Sequence, residues 1–190
     1  NKVKKYLFFP AVIILVLFSL LLLWRSYFIF LPQERATWWS YGYSQLADIT
    51  AQNPTTTYVF DNARLSPAYV SILYHLQYPP IEFQKQFTPD FIKTYYSNPP
   101  YNPNYKIANI DIRPIVWETD TLSDQILVGD TLSISEEQAK EHFLNKVFDI
   151  KDPLGNSIFM GFKTNPSKKI SDNARKKATS SFVKTRGKMN

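Results

Sequence analysis

Residues 55–77 read TTTYVFDNARLSPAYVSILYHLQ, and their interpretation decides the fold class. Thr55 to Asp61 is a β-branched and aromatic run of strand length, and Asn62 is a turn former. Pro67 to Gln77 then carries Tyr69, Val70, Leu73 and Leu76 at helical spacing, with Ser66 placed to cap and Pro67 at the first helical position. A strand, a short loop and an amphipathic helix form the repeating unit of an α/β domain.

Working outward, Thr37 to Gln52 is expected to be helical, with Trp38, Tyr41, Gln45, Leu46 and Ile49 at 3–4 spacing and Asn53-Pro54 as its end. Downstream, Tyr78-Pro79-Pro80 halts the second helix, and Thr88-Pro89-Asp90 opens a short one through Tyr96. SNPPYNPNY, Ser97 to Tyr105, is expected to be irregular. Ile107 to Trp117 and Asp124 to Asp130 read as strands, Pro114 marking an edge or a strand end. Ser135 and Gln138 form a capping box for a helix through Asn145. Lys146 to Ile150 and Ser157 to Lys163 flank a Gly-containing turn, as in a hairpin. The expectation is one α/β sandwich over residues 33–162, with a mixed sheet closed by a carboxy-terminal β-hairpin.

Upstream lies YLFFPAVIILVLFSLLLLW, Tyr6 to Trp24. About 19 nearly uninterrupted apolar residues can cross a hydrocarbon core of roughly 30 Å as one helix. Lys2, Lys4 and Lys5 precede it, and Trp24, Tyr27, Trp38 and Trp39 form an interfacial belt after it, so the amino terminus is expected to be cytoplasmic. A cleaved signal peptide shares the basic start and apolar core, but its h-region is shorter and needs a small-x-small site, where this chain has WRSYFIFLPQ. Pro10 is expected in an early turn, where a missing N–H costs no bond. Residues 1–31 are thus expected to be a membrane span, and Asn1 in place of Met points to a larger parent protein.

The net charge of +6 is unevenly placed. Residues 33–162 hold nine basic against fifteen acidic residues, a net of −6, while 163–190 hold nine basic residues against Asp172, a net of +8. An acidic body argues against nucleic acid as a partner. The basic tail, rich in Lys, Ser, Thr and Asn, is expected to be disordered and able to touch anionic headgroups or a cell-wall polyanion. Cysteine is absent, which removes disulfides, thiolate metal sites and cysteine nucleophiles.

Two groups of residues are candidates for binding. Asp61 and Asn62 end the first strand with Arg64 close behind, and a carboxylate, an amide and a guanidinium there could bond sugar hydroxyls or a phosphate, or merely shape a turn. Tyr78, Phe83, Tyr95, Tyr96, Tyr101 and Tyr105 could stack on sugar rings, or pack the proline-rich loops instead. His75 and His142 lack ligand spacing, so no metal is implied, and without a G-x-G-x-x-G or P-loop no nucleotide cofactor is either. Asp111, Glu118, Asp120, Asp124 and Asp130 near strand ends leave a glycosidase pair open.

The anchor, then WWSYGYSQLADIT, a strand ending YVFD and SPAYVSILYHLQYPPIEFQ together resemble the carboxy-terminal end of bacterial polytopic glycosyltransferases of the dolichyl-phosphate-mannose protein mannosyltransferase type, family 39. The likeness covers Tyr6 to Gln84 and adds Gln84 to the candidate contacts. It implies an extracytoplasmic accessory domain, in the cell membrane, of an enzyme that moves a sugar from a polyprenyl-phosphate donor to a protein or glycan acceptor. It also implies that catalysis lies in upstream helices, with no catalytic residue here. The alternative is a single-pass, noncatalytic protein whose domain binds a protein or cell-wall partner.

Overall fold

A computed structural model describes residues 2–34, 36, 40–63, 68–98 and 103–186. The chain divides into two compact units, Asn1–Tyr41 with Lys151–Asn156, and Gly42–Ile150 with Ser157–Asn190.

In the first unit, helix α1 (Lys2–Arg25) continues through a π-helical turn (Ser26–Phe30) into α2 (Leu31–Glu34). Phe8–Glu34, 27 residues of mean hydropathy 2.4, is long and apolar enough to cross a membrane. At 1.5 Å per residue it measures about 40 Å. Pro10 lies inside α1, two turns in and not in its first turn, so it removes one backbone bond, a loss that spanning helices tolerate. The π turn, closed by the Leu31 N–H on the Ser26 carbonyl, widens the helix one turn ahead of Pro32, where a proline ring would otherwise meet the preceding carbonyls. Across it the guanidinium of Arg25, the last residue of α1, lies 4.7 Å from the Phe30 ring centre. The same unit holds the turn at Asp152, whose carboxylate accepts from the N–H groups of Leu154 and Asn156.

The second unit is an α/β domain around a six-stranded mixed sheet of order β2-β3-β1-β4-β6-β5. Its elements are α3 (Tyr43–Gln52), β1 (Tyr58–Phe60), α4 (Ala68–His75), α5 (Pro80–Gln84), α6 (Pro89–Ser97), β2 (Tyr105–Ile107), β3 (Ile110–Ile112), α7 (Trp117–Asp120), β4 (Ile126–Gly129), α8 (Glu136–Glu141), β5 (Asn145–Lys151), β6 (Ser157–Lys163) and α9 (Pro166–Arg186). Strand β1 is central and parallel to both neighbours: Tyr58 pairs with Ile110 of β3 and with Ile126 of β4. Outside this trio β2 runs antiparallel to β3, and β6 antiparallel to β4.

Because side chains alternate across a sheet, the strands feed two cores. Tyr58, Phe60, Ile110, Ile112, Ile126 and Val128 face one side, covered by Leu46 of α3 and Ala68 and Ile72 of α4. Val59, Leu127, Met160 and Phe162 face the other, covered by Ile134, Leu144 and Ala139 of α8. Strands β1 and β4 are buried on both faces, which accounts for their short, apolar runs, whereas β3 carries the half-buried Asp111 between Ile110 and Ile112. Gly42 precedes α3 with φ of +93°, and a side chain there would meet the Phe159 ring at 3.2 Å.

Several boundaries differ from the sequence expectation. Ile107 to Trp117 is not one strand. It folds into the β2–β3 hairpin because Ala108 adopts φ of +52° and the Asn109 amide donates to the carbonyls of Thr50, Asn53 and Thr56. Tyr105, expected in the irregular loop, begins β2, and Trp117 begins α7. Helix α8 has the expected capping box but stops at Glu141, with Phe143 just beyond at φ of +56°, and Asn145 already belongs to β5. The expected first helix is described from Tyr43, and residues 37–39, Ser66 and Pro67 lie outside the described residues.

The largest correction concerns the tail, expected to be disordered. It forms the 21-residue helix α9. Asn165 caps it by accepting from the Lys168 N–H, with Pro166 at the first position. Buried Asp172 then pairs with Arg175 at 2.8 Å and Lys176 at 2.9 Å, one turn on.

Candidate functional site

Two places collect the residues that sequence reading marks. The first is the carboxyl edge of the parallel strands. After Phe60 the chain turns through Asp61 and Asn62 towards α4 on one face, whereas after Gly129 it turns through Asp130 towards α8 on the other. Adjacent parallel strands whose connections leave on opposite faces define the switch point at which open α/β sheets bind ligands.

Here the polar groups are engaged in building the edge. Asp61 and Asn62 are both buried; the Asp61 N–H donates to the Val128 carbonyl at 2.9 Å, and its carboxylate accepts from the Ala63 N–H at 3.2 Å. Asp130 accepts from Leu132 and Ser133 at 3.0 and 2.7 Å. Arg113, whose N–H bonds the Phe60 carbonyl, turns its guanidinium to Asp120 in a two-pronged pair at 2.8 and 2.7 Å. The Val116 N–H at 2.8 Å and the Gln125 amide at 3.2 Å also donate to Asp120. Burial pushes the Asp120 carboxyl up, but Arg113, Val116 and Gln125 together hold it below its ordinary range. Arg64 lies outside the described residues.

That pairing bears on the acids considered for hydrolysis. Asp120 is locked as an ionised structural group, Asp124 pairs with Lys163 at 2.6 Å, and Asp111 lies 3.7 Å from Lys106. A protonated general acid requires a raised carboxyl, the opposite of the shift at Asp120. Among the described residues no three His, Asp or Glu side chains converge as metal ligands. His142 stacks on Trp117, ring centres 4.7 Å apart, and burial with nearby Lys169 lowers its basicity.

The second place is a cleft of about 360 Å³ beside α6. Its floor is Tyr69, Phe87, Phe91 and Tyr105; its rim is Ile92, Tyr95 and Tyr96. Thr88 caps α6 by accepting from the Phe91 N–H, so that helix is held at its start. Gln86 clamps the preceding loop to β2, donating to the Lys106 carbonyl at 2.7 Å and accepting from the Lys106 N–H at 3.0 Å. The floor rings support one another: Tyr69 and Tyr105 lie 4.4 Å apart, Phe87 and Phe91 5.3 Å. On the rim Tyr95 is 42% exposed and Tyr96 78%, their rings edge to face at 5.3 Å.

The cleft gathers Tyr95, Tyr96 and Tyr105 from the expected stacking set but not its other members. Phe83 is buried beneath, stacked on Tyr69 at 5.8 Å and Tyr105 at 5.4 Å, as part of the core. Tyr78 is half-buried against the same core, Gln84 is exposed on α5, and Tyr101 lies outside the described residues. Phe87, Phe91 and Ile92 are lining residues that sequence reading misses, and Tyr69 is one it expects only in the core. A signal for them is present: Phe83, Phe87, Phe91 and Tyr95 recur every fourth residue across the α5–α6 break. Comparison with family profiles, with curated proteins and with solved structures finds no match to this chain.

Proposed function

We propose that this chain is a membrane-anchored, noncatalytic domain that holds a saccharide in the cleft of α6, as the accessory module of a membrane glycosyltransferase. In this reading the parent enzyme transfers a sugar from polyprenyl phosphate to an extracytoplasmic acceptor, and the domain positions that acceptor. The observation that carries the reading is the cleft itself: a rigid aromatic floor with two accessible tyrosines. Aromatic faces carry negative charge density and attract the polarised C–H face of a pyranose, while phenolic hydroxyls bond its hydroxyls. Lys2, Lys4 and Lys5 ahead of the apolar helix favour an amino terminus in the cytoplasm and the domain outside.

Saturation-transfer NMR on the chain in a sugar-free detergent tests this. Mannose- or glucose-based oligosaccharides are expected to receive magnetisation from the aromatic protons, and Tyr95→Ala or Tyr96→Ala to weaken binding about tenfold each, a stacked ring being worth roughly 1–1.5 kcal/mol. Undiminished binding in both variants would reject the cleft. For the role in catalysis, transfer from a radiolabelled polyprenyl-phosphate sugar by the parent protein is expected to be lost or redirected when residues 33–190 are removed. The competing reading, a single-pass protein that binds another protein, draws on exposed Ile92 on the cleft rim and exposed Ile81 on α5. It predicts capture of extended peptides and no saccharide signal.

A further inference from the structure

Helix α9 is not used by the saccharide reading, and its charge sets it apart from the rest of the domain. Residues 166–186 contain seven Lys or Arg and one acid, whereas residues 33–162 carry a net charge of −6. Lys169 and Asp172 in its first two turns are buried, and all six residues from Asn173 to Ala178 are exposed. At 1.5 Å per residue α9 is about 31 Å long. A helix with so few apolar residues gains little by packing on its own domain. An anionic surface would attract these exposed cations, and the chain itself carries a helix long and apolar enough to cross a membrane.

We propose that α9 docks on the anionic phosphate headgroups of the bilayer, Lys168, Arg175, Lys176 and Lys177 forming its described contacts. The charge asymmetry gives the interaction direction. An anionic surface repels the −6 body and attracts the helix, so docking orients the domain with α9 towards the lipid. Asp172 assists: by pairing with Arg175 and Lys176 it keeps both guanidinium and ammonium on a formed helical turn. The proposal depends neither on the saccharide nor on which side of the membrane the domain occupies.

The test uses the absence of cysteine, which makes an introduced thiol unique. The full chain carrying Ala174→Cys is labelled with an environment-sensitive dye and reconstituted into vesicles of phosphatidylcholine, with or without about one-third phosphatidylglycerol. In the anionic vesicles the dye is expected to shift to the blue and resist aqueous iodide, and to lose both properties as salt rises from about 0.05 to 0.5 M. A label at exposed Thr131, in the acidic body, is expected to stay solvent-like. Lys168→Gln and Lys177→Gln each remove one exposed charge outside the Asp172 pairs and are expected to lower the docked-to-free ratio about fivefold. Identical emission in the two vesicle types, or a shift indifferent to salt, overturns the proposal. So does a response to soluble polyphosphate with none to anionic vesicles, which would assign α9 to a soluble polyanion.

Discussion

Replacing Asp120 by Ala tests the account of the carboxyl edge most directly. The Asp120 side chain is only 6% exposed and receives two bonds from Arg113, one from Val116 and one from Gln125. Truncation leaves a guanidinium three-quarters buried and a backbone N–H without its acceptor. Breaking a buried pair costs about 3–5 kcal/mol, a large share of the 5–15 kcal/mol typical of a domain. Urea unfolding of the chain in detergent, monitored by tryptophan fluorescence, to which Trp117 of the same helix contributes, should show the midpoint falling by about 2 M for a slope near 2 kcal/mol/M. Arg113→Met should cost much less in the Asp120→Ala background than alone, because the orphaned cation is then gone. The pH dependence comes from the lowered carboxyl: the pair stabilises fully above the unfolded value of about 3.9, and the benefit disappears as pH falls through the lower folded value. The variant should lose that acid limb. A midpoint shift under about 0.5 M would mean that the pair acts as an exposed one and would refute the reasoning.

Gly161→Ala should destabilise the domain by about 1–3 kcal/mol, since the new methyl would overlap the Phe148 ring; Phe148→Leu in the same chain should restore part of the loss, read by the same urea midpoints. Burial among Phe60 and Phe159 pushes the Tyr43 phenol up to about 12. Its contribution is fully present below the unfolded value near 10 and is lost as pH rises through 12. Burial also raises the Tyr58 phenol, so ultraviolet titration should show late phenolates of which Tyr43→Phe removes one, and that variant should be less sensitive to alkaline unfolding than the parent chain.

Much of the fold is legible along the chain because local physics dictates it. The apolar run of α1, the buried strands β1 and β4, the capping box at Ser135 and the turn at Asp152 each depend on neighbours within a few residues. The cap of α9 is equally local: Asn165-Pro166 is a start signal, and the i+3 and i+4 partners of Asp172 support the second and third turns. Composition outweighs that signal when the tail is read by residue type, since few apolar residues argue for disorder unless caps and charge pairs are counted first.

Other features have no local cause. The β2–β3 hairpin exists because the Asn109 amide reaches three carbonyls more than fifty residues away. Asp120 matters through Arg113, and the cleft forms because the Gln86–Lys106 clamp holds α6 beside β2. Sequence by itself determined the membrane-length helix, the α/β class and the segregation of charge, for these come from periodicity, composition and counting. Tertiary structure alone decided which tyrosines meet in one cleft and which rings sink into the core, because burial is set by what packs against a residue and not by the residue's type.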